Sequence, residues 1–141
     1  MPEEVVLDTN VLIAGLRSSR GASHRVLRLI GTGLFSIHVS VPLVLEYEET
    51  LVRERPVLGL TQSGVGDVLD YLCSVAGHHE INFLWRPFLR DPDDDMVLEL
   101  AVQAGCSCIV THNLRDFAGS ETFGVPAVLP RDFLKKIGAT K

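Results

Sequence analysis

Short apolar runs of β type alternate with helix-patterned segments along the whole chain. A chain that alternates in this way is best satisfied by a parallel sheet covered by helices on both faces, with functional residues at the carboxyl ends of the strands. Val5-Val6-Leu7, ending in Asp8-Thr9-Asn10, reads as a buried first strand with a carboxylate at its C-terminal edge. Val11 to Leu16 and Ala22 to Ile30 read as helices, the second stopped by Gly31 and Gly33. Phe35 to Val41 alternates with period two and is expected to be a strand. Pro42 opens a helix running to about Arg55, and Pro56 is expected to end it. Thr61 to Ala76 is expected to be helical through Val65, Val68, Leu69 and Leu72, and Glu80 to Trp85 to be a strand. A helix from about Asp94 to Ala104, capped by Asp91 or Asp93, precedes strands at Ser107 to Thr111 and Val125 to Leu129. A basic terminal helix starts at Pro130 or Arg131.

With 141 residues, 46% of them hydrophobic, the chain is expected to form one α/β domain over residues 1–141 with an ordinary apolar core. The apolar content argues against disorder, and no apolar run reaches the roughly 18 to 20 residues of a membrane span. Met1-Pro2-Glu3-Glu4 lacks the basic start of a secretory signal, so a cytoplasmic location is expected. Cys73, Cys106 and Cys108 lack zinc-site spacing and read as buried thiols.

The net charge of -5 argues against simple electrostatic adhesion to nucleic acid, but the charges are segregated. No Asp or Glu occurs between Thr9 and Leu45, where Arg17, Arg20, Arg25 and Arg28 lie, whereas Asp91, Asp93, Asp94 and Asp95 crowd after Arg90. That distribution fits an anionic pocket beside a cationic rim. Four acids fall where the architecture places active sites: Asp8 after the first strand, Glu46 one turn into the helix after the second, Asp94 at a helix start, and Asp116 beyond Ile109-Val110-Thr111-His112-Asn113. Converging carboxylates need cations, and oxygen donors favour Mg2+ or Mn2+. Such ions activate water and stabilise in-line displacement at phosphorus. Each acid also has a plainer reading. Asp8 can cap a helix, Glu46 shares its helix with Glu48 and Glu49, most of the Asp91 to Asp95 run is solvated, and Asp116 can close a turn with Asn113. The five histidines have no zinc-protease spacing, and Gly31-Thr32-Gly33 follows a helix, which excludes a phosphate loop.

In chain order, Val5 to Leu12, Pro42 to Leu51, Asp91-Pro92-Asp93-Asp94-Asp95 with Leu98 to Ala101, and Ile109 to Phe117 resemble the four acidic segments of the PIN-domain ribonucleases. The Asp-Pro-x-Asp segment is most similar to a bacterial and archaeal branch described as toxin components of toxin-antitoxin systems. The resemblance implies a three-layer α/β/α fold with a central parallel sheet of about five strands, Mg2+ or Mn2+ dependence, cleavage of RNA, homodimers and an antitoxin protein as partner. Carried over by position, Asp8, Glu46 and Asp94 would hold metal, with Asp116 as the fourth acid and Asp91 or Asp95 as replacements for Asp94. Thr9, Asn10, Thr111 and Asn113 would support the acids or orient substrate, Asn113 standing where many members have Asp.

The expected activity is therefore a metal-dependent endoribonuclease, with Arg17, Arg20, Arg25 and Arg28 as candidates for steering the RNA backbone. Two other readings compete. In one, Asp8 is the covalent nucleophile of a Mg2+-dependent phosphatase or phosphotransferase, although the second Asp such enzymes carry two residues later is Asn10 here. In the other, the chain is a catalytically silent binding module.

Overall fold

The computed structural model of the chain describes residues 2–81 and 88–139. Among these residues five strands, β1 (Glu3–Leu7), β2 (Phe35–Ser40), β3 (Gly77–His79), β4 (Cys108–Val110) and β5 (Ala127–Val128), form a parallel sheet ordered β3-β2-β1-β4-β5. Helices α1 (Thr9–Arg17), α2 (Ala22–Leu29), α3 (Val41–Arg53), α4 (Arg55–Leu58), α5 (Gln62–Val75), α6 (Pro92–Gln103) and α7 (Pro130–Lys136) make the connections. The chain builds the sheet outward from β1 through β2 to β3, then crosses back to lay β4 on the other side of β1. The direction of winding therefore reverses between β1 and β4, and parallel α/β sheets open a crevice at the carboxyl ends of the strands at such a point. The register Val6↔Ile109 and Leu7↔Val110 brings Asp8 and Thr111 out side by side at that crevice.

The core explains why these segments are strands. Val5, Val6, Val39, Cys108, Ile109 and Val110 are wholly buried, as continuous apolar runs sandwiched between helices should be. In α6, Val97, Leu98, Leu100 and Ala101 are wholly buried, in keeping with its nearly all-round apolar sequence. Phe133 of α7 meets Phe35 of β2 edge to face, with ring centroids 5.1 Å apart. Ser40 caps α3 by accepting from the Leu43 amide, and Thr61 caps α5 by accepting from that of Gly64. Cys106 and Cys108 are buried and Cys73 is half-buried. Burial pushes the Cys106 thiol up to about 12, which makes it inert.

Two expectations change. Pro56 does not end the long helix. The chain breaks at Glu54, and Pro56 sits in the first turn of the short α4, where its missing amide hydrogen needs no partner. In the stretch expected to be a strand from Glu80 to Trp85, residues 82–87 lie outside the described residues, and Glu80 and Ile81 carry no strand. The strand at this edge is instead Gly77–His79, placed by pairing with β2 and by a 2.7 Å hydrogen bond between His38 Nδ1 and His79 Nε2. Among the described residues no helix is long and apolar enough to cross a membrane.

Gly15 is required where α1 crosses α2. A Cβ there would lie 2.5 Å from Leu27 Cδ1 and 2.9 Å from the backbone oxygen of Ser23. Leu27 can move, but the Ser23 backbone can do so only with its helix. Gly15→Ala is expected to lower stability by about 1–3 kcal/mol, seen as an earlier urea midpoint with an unchanged slope.

Candidate active site

Asp8 leaves β1 and serves as the N-cap of α1, its Oδ1 accepting from the Thr9 amide at 2.9 Å. Its Oδ2 accepts from Thr111 Oγ1 at 2.8 Å and from the Asn10 side-chain amide at 3.2 Å. The plain capping reading of Asp8 is thus true, yet a cap needs one oxygen, and here both are held by donors from two strand ends. Asn10 also donates to Thr111 Oγ1 and accepts from the His112 amide, so it ties the end of β1 to the loop after β4. Asn113 donates its amide to Thr111 Oγ1 at 3.0 Å.

Glu46 reaches the same place from α3. Its Oε2 accepts from Thr9 Oγ1 at 2.5 Å, while the neighbouring Tyr47 hydroxyl donates to the Leu7 carbonyl and pins α3 against the end of β1. Glu48 and Glu49 are exposed, and Glu49 pairs with Arg53 on the surface. The Asp91 to Asp95 run divides by task. Asp91 caps α6, accepting from the Asp93 amide. Asp95 is buried and accepts from the Phe88 and Leu89 amides, which commits it to the loop before α6. Asp94 and Asp91 line an open cavity of about 570 Å³ together with Asp8, Glu46 and Asp116. Thr9, Asn10, His112 and Asn113 also line it, whereas Thr111 is wholly buried behind Asp8.

The four arginines named above do not form one rim. Arg17 lines the acidic cavity. Arg20 is exposed in the bend after α1. Arg25 donates to the Ala139 carbonyl, and with Arg28 it lines a separate cavity. The cation that sequence reasoning missed is Arg53, which lines the acidic cavity with Glu46 and Thr50. The signal was present, since residues 46, 50 and 53 fall at i, i+4 and i+7, one stripe of a helix. A second missed contact is the 2.6 Å hydrogen bond between His112 Nε2 and the buried Ser23 Oγ, which braces the loop after β4 against α2.

Crowding sets the electrostatics. Burial is the main cause that raises the Asp8 carboxyl; Asp116 adds to it, while the Thr111 and Thr9 hydrogen bonds oppose it. Burial likewise raises Glu46, with Asp93, Asp8 and Asp91 adding repulsion and the Thr9 bond opposing. Asp94 is pushed up to about 7, first by burial and then by Asp8, Asp91, Asp116 and Glu46. Among the described residues no three His, Cys, Asp or Glu side chains already converge to coordination geometry. The donor set nevertheless fits a hard divalent cation: every acid is an oxygen donor, and burial with mutual repulsion raises Asp8, Glu46 and Asp94, a cost that a bound cation would offset.

A family model described as PIN domain matches residues 4–115. The fold is similar to that in the crystal structure of VapBC2 from Rickettsia felis bound to a DNA fragment from its promoter, with a TM-score of 0.61 at 12% identity over 89% of this chain and 98% of that one. No curated protein sequence matches the chain.

Proposed function

Because the chain belongs to the PIN-domain family, we propose that it is an endoribonuclease in which Asp8, Glu46, Asp94 and Asp116 hold Mg2+ or Mn2+ and direct hydrolysis of RNA phosphodiester bonds. The observation that carries this reading is the meeting of these acids at the switch point of the sheet, with Asp94 raised to about 7 by its neighbours. A bound Mg2+ or Mn2+ would supply a water of lowered pKa and stabilise the charge that develops at phosphorus.

The chain's own residues supply the rest. Thr9, Asn10 and Thr111 donate to both Asp8 oxygens and hold that carboxylate in one orientation. Thr9 also fixes Glu46, so a single residue sets the spacing of two acids. Arg17 and Arg53 supply the positive charge at the rim that draws phosphates toward a pocket of negative residues. Asn113, beside Asp116 on the pocket wall, is placed to orient substrate.

We propose further that the chain is the toxin component of a toxin-antitoxin system with an antitoxin protein as partner, a reading that the likeness to VapBC2 supports, and that it acts in the cytoplasm as a homodimer. The test of the central claim is incubation of the purified protein with a mixed pool of single-stranded and structured RNA. Cleavage is expected with Mn2+ or Mg2+ and absent with EDTA. Cutting that persists in EDTA, or no cutting with either ion, would overturn the reading.

A further inference from the structure

A second cavity, of about 340 Å³, adjoins the acidic one and shares Asp116 with it. Its other lining side chains are chemically opposite: Phe88, Arg90 and Arg115, with Leu89 and Ala118. Phe88 is 45% exposed although it belongs to a well-anchored loop, its amide and that of Leu89 donating to the buried Asp95 at 3.3 and 2.9 Å. Phe123 braces the ring edge to face, with centroids 4.9 Å apart. Gly119, at φ +95°, lets the ring in, because a Cβ there would stand 3.0 Å from Phe88 Cζ. Arg90 and Arg115 are both exposed, and among the described residues no ion pair uses either of them.

A braced, exposed aromatic ring that shares a cavity with two exposed arginines is the arrangement that grips single-stranded nucleic acid. The ring offers a face for a base, and the cations meet the flanking phosphates or stack in turn. In a chain of net charge -5 general attraction to a polyanion is weak, which leaves local contacts to do the recognition. We propose that Phe88, Arg90 and Arg115 form a nucleobase subsite that seats an unpaired base of single-stranded RNA beside the cleavage pocket. The proposal rests on the nuclease reading of the adjoining acids, and it narrows the substrate to unpaired segments, since a base within a duplex cannot be splayed onto a side chain.

The test is fluorescence anisotropy with a short fluorescein-labelled single-stranded RNA and its duplex, in EDTA so that nothing is cut. Phe88→Leu is expected to weaken single-strand binding about tenfold and leave duplex binding unchanged, and Phe88→Tyr to restore it. Arg115→Gln, on an exposed side chain whose loss leaves packing intact, is expected to weaken binding and reduce the slope of log K against log salt by about 0.7. Equal single-strand affinity in wild type and Phe88→Leu, or an equal loss for duplex, would overturn the subsite. Cleavage is scored separately with Mn2+. Cutting together with Phe88-independent binding removes the subsite alone, and Phe88-dependent binding without cutting removes the nuclease reading alone.

Discussion

Asp8→Asn is expected to reduce Mn2+-dependent RNA cleavage by at least about a hundredfold, the upper range found when a mere supporting partner of a metal ligand is lost, while the protein stays folded. Both halves follow from the contacts. Asparagine keeps an oxygen for the Thr9 amide, so the start of α1 remains capped. It removes a buried charge whose ionisation the pocket disfavours, which offsets the loss of the oxygen that accepts from Thr111 and Asn10, so the melting temperature should change little. What asparagine cannot supply is the negative oxygen needed for a hard cation. The same preparation thus gives a contamination control for the cleavage assay. Full activity in the folded Asp8→Asn protein would exclude Asp8 from the metal-binding role proposed for it, and a protein that no longer melts cooperatively would mean that its hydrogen bonds are chiefly structural.

The parts of this arrangement visible in the sequence are those written in local patterns. Val5-Val6-Leu7 announces a buried strand by composition, and Asp8 is placed at its end by the next residue alone. Phe35 to Ser40 alternates, Ser40 and Pro42 mark the start of α3, and Glu46 then falls one turn inside by counting. β3 was invisible because nothing in Gly77-His78-His79 is apolar. It is a strand through what β2 offers it, including His38, which is 41 positions from its partner His79. The task of each acid after Arg90 was hidden for the same reason. Asp94 and Asp95 are adjacent in the chain and equivalent in composition, and they part only because a helix turns successive side chains about 100° apart, one toward the cavity and the other toward the Phe88 and Leu89 amides. Charge clustering misled in the opposite sense. Arg17, Arg20, Arg25 and Arg28 look like one basic patch in the sequence, yet they divide between two cavities and a bend, while Arg53 joins Arg17 from another helix.

The crowding on which the proposed cation site rests should also make the pocket a weak point of the cation-free fold, and Asp94 is where this is measurable. Its carboxyl titrates near 7 in the folded chain against an ordinary value of 3.8. Between those values the folded protein keeps a proton that the unfolded chain releases, so stability is fully present below 3.8 and is lost as pH rises through 7. Asparagine at this position has nothing to ionise. In EDTA near pH 8, Asp94→Asn should therefore melt above wild type, by about 2–4 °C if solvent screening of this half-exposed group leaves roughly 1 kcal/mol, and the gain should vanish toward pH 4. His79, pushed down mainly by burial, acts in the opposite direction below its ordinary 6.5, but it is common to both proteins and cancels in the difference. Mn2+ should reverse the order near pH 8. At about a hundred times its dissociation constant the ion adds roughly 2.7 kcal/mol to wild type, some 5–10 °C in melting temperature, and adds less to Asp94→Asn. Matching melting curves for the two proteins at every pH, with and without Mn2+, would place the Asp94 carboxylate outside the cluster and leave Asp8, Glu46 and Asp116 to hold the ion without it.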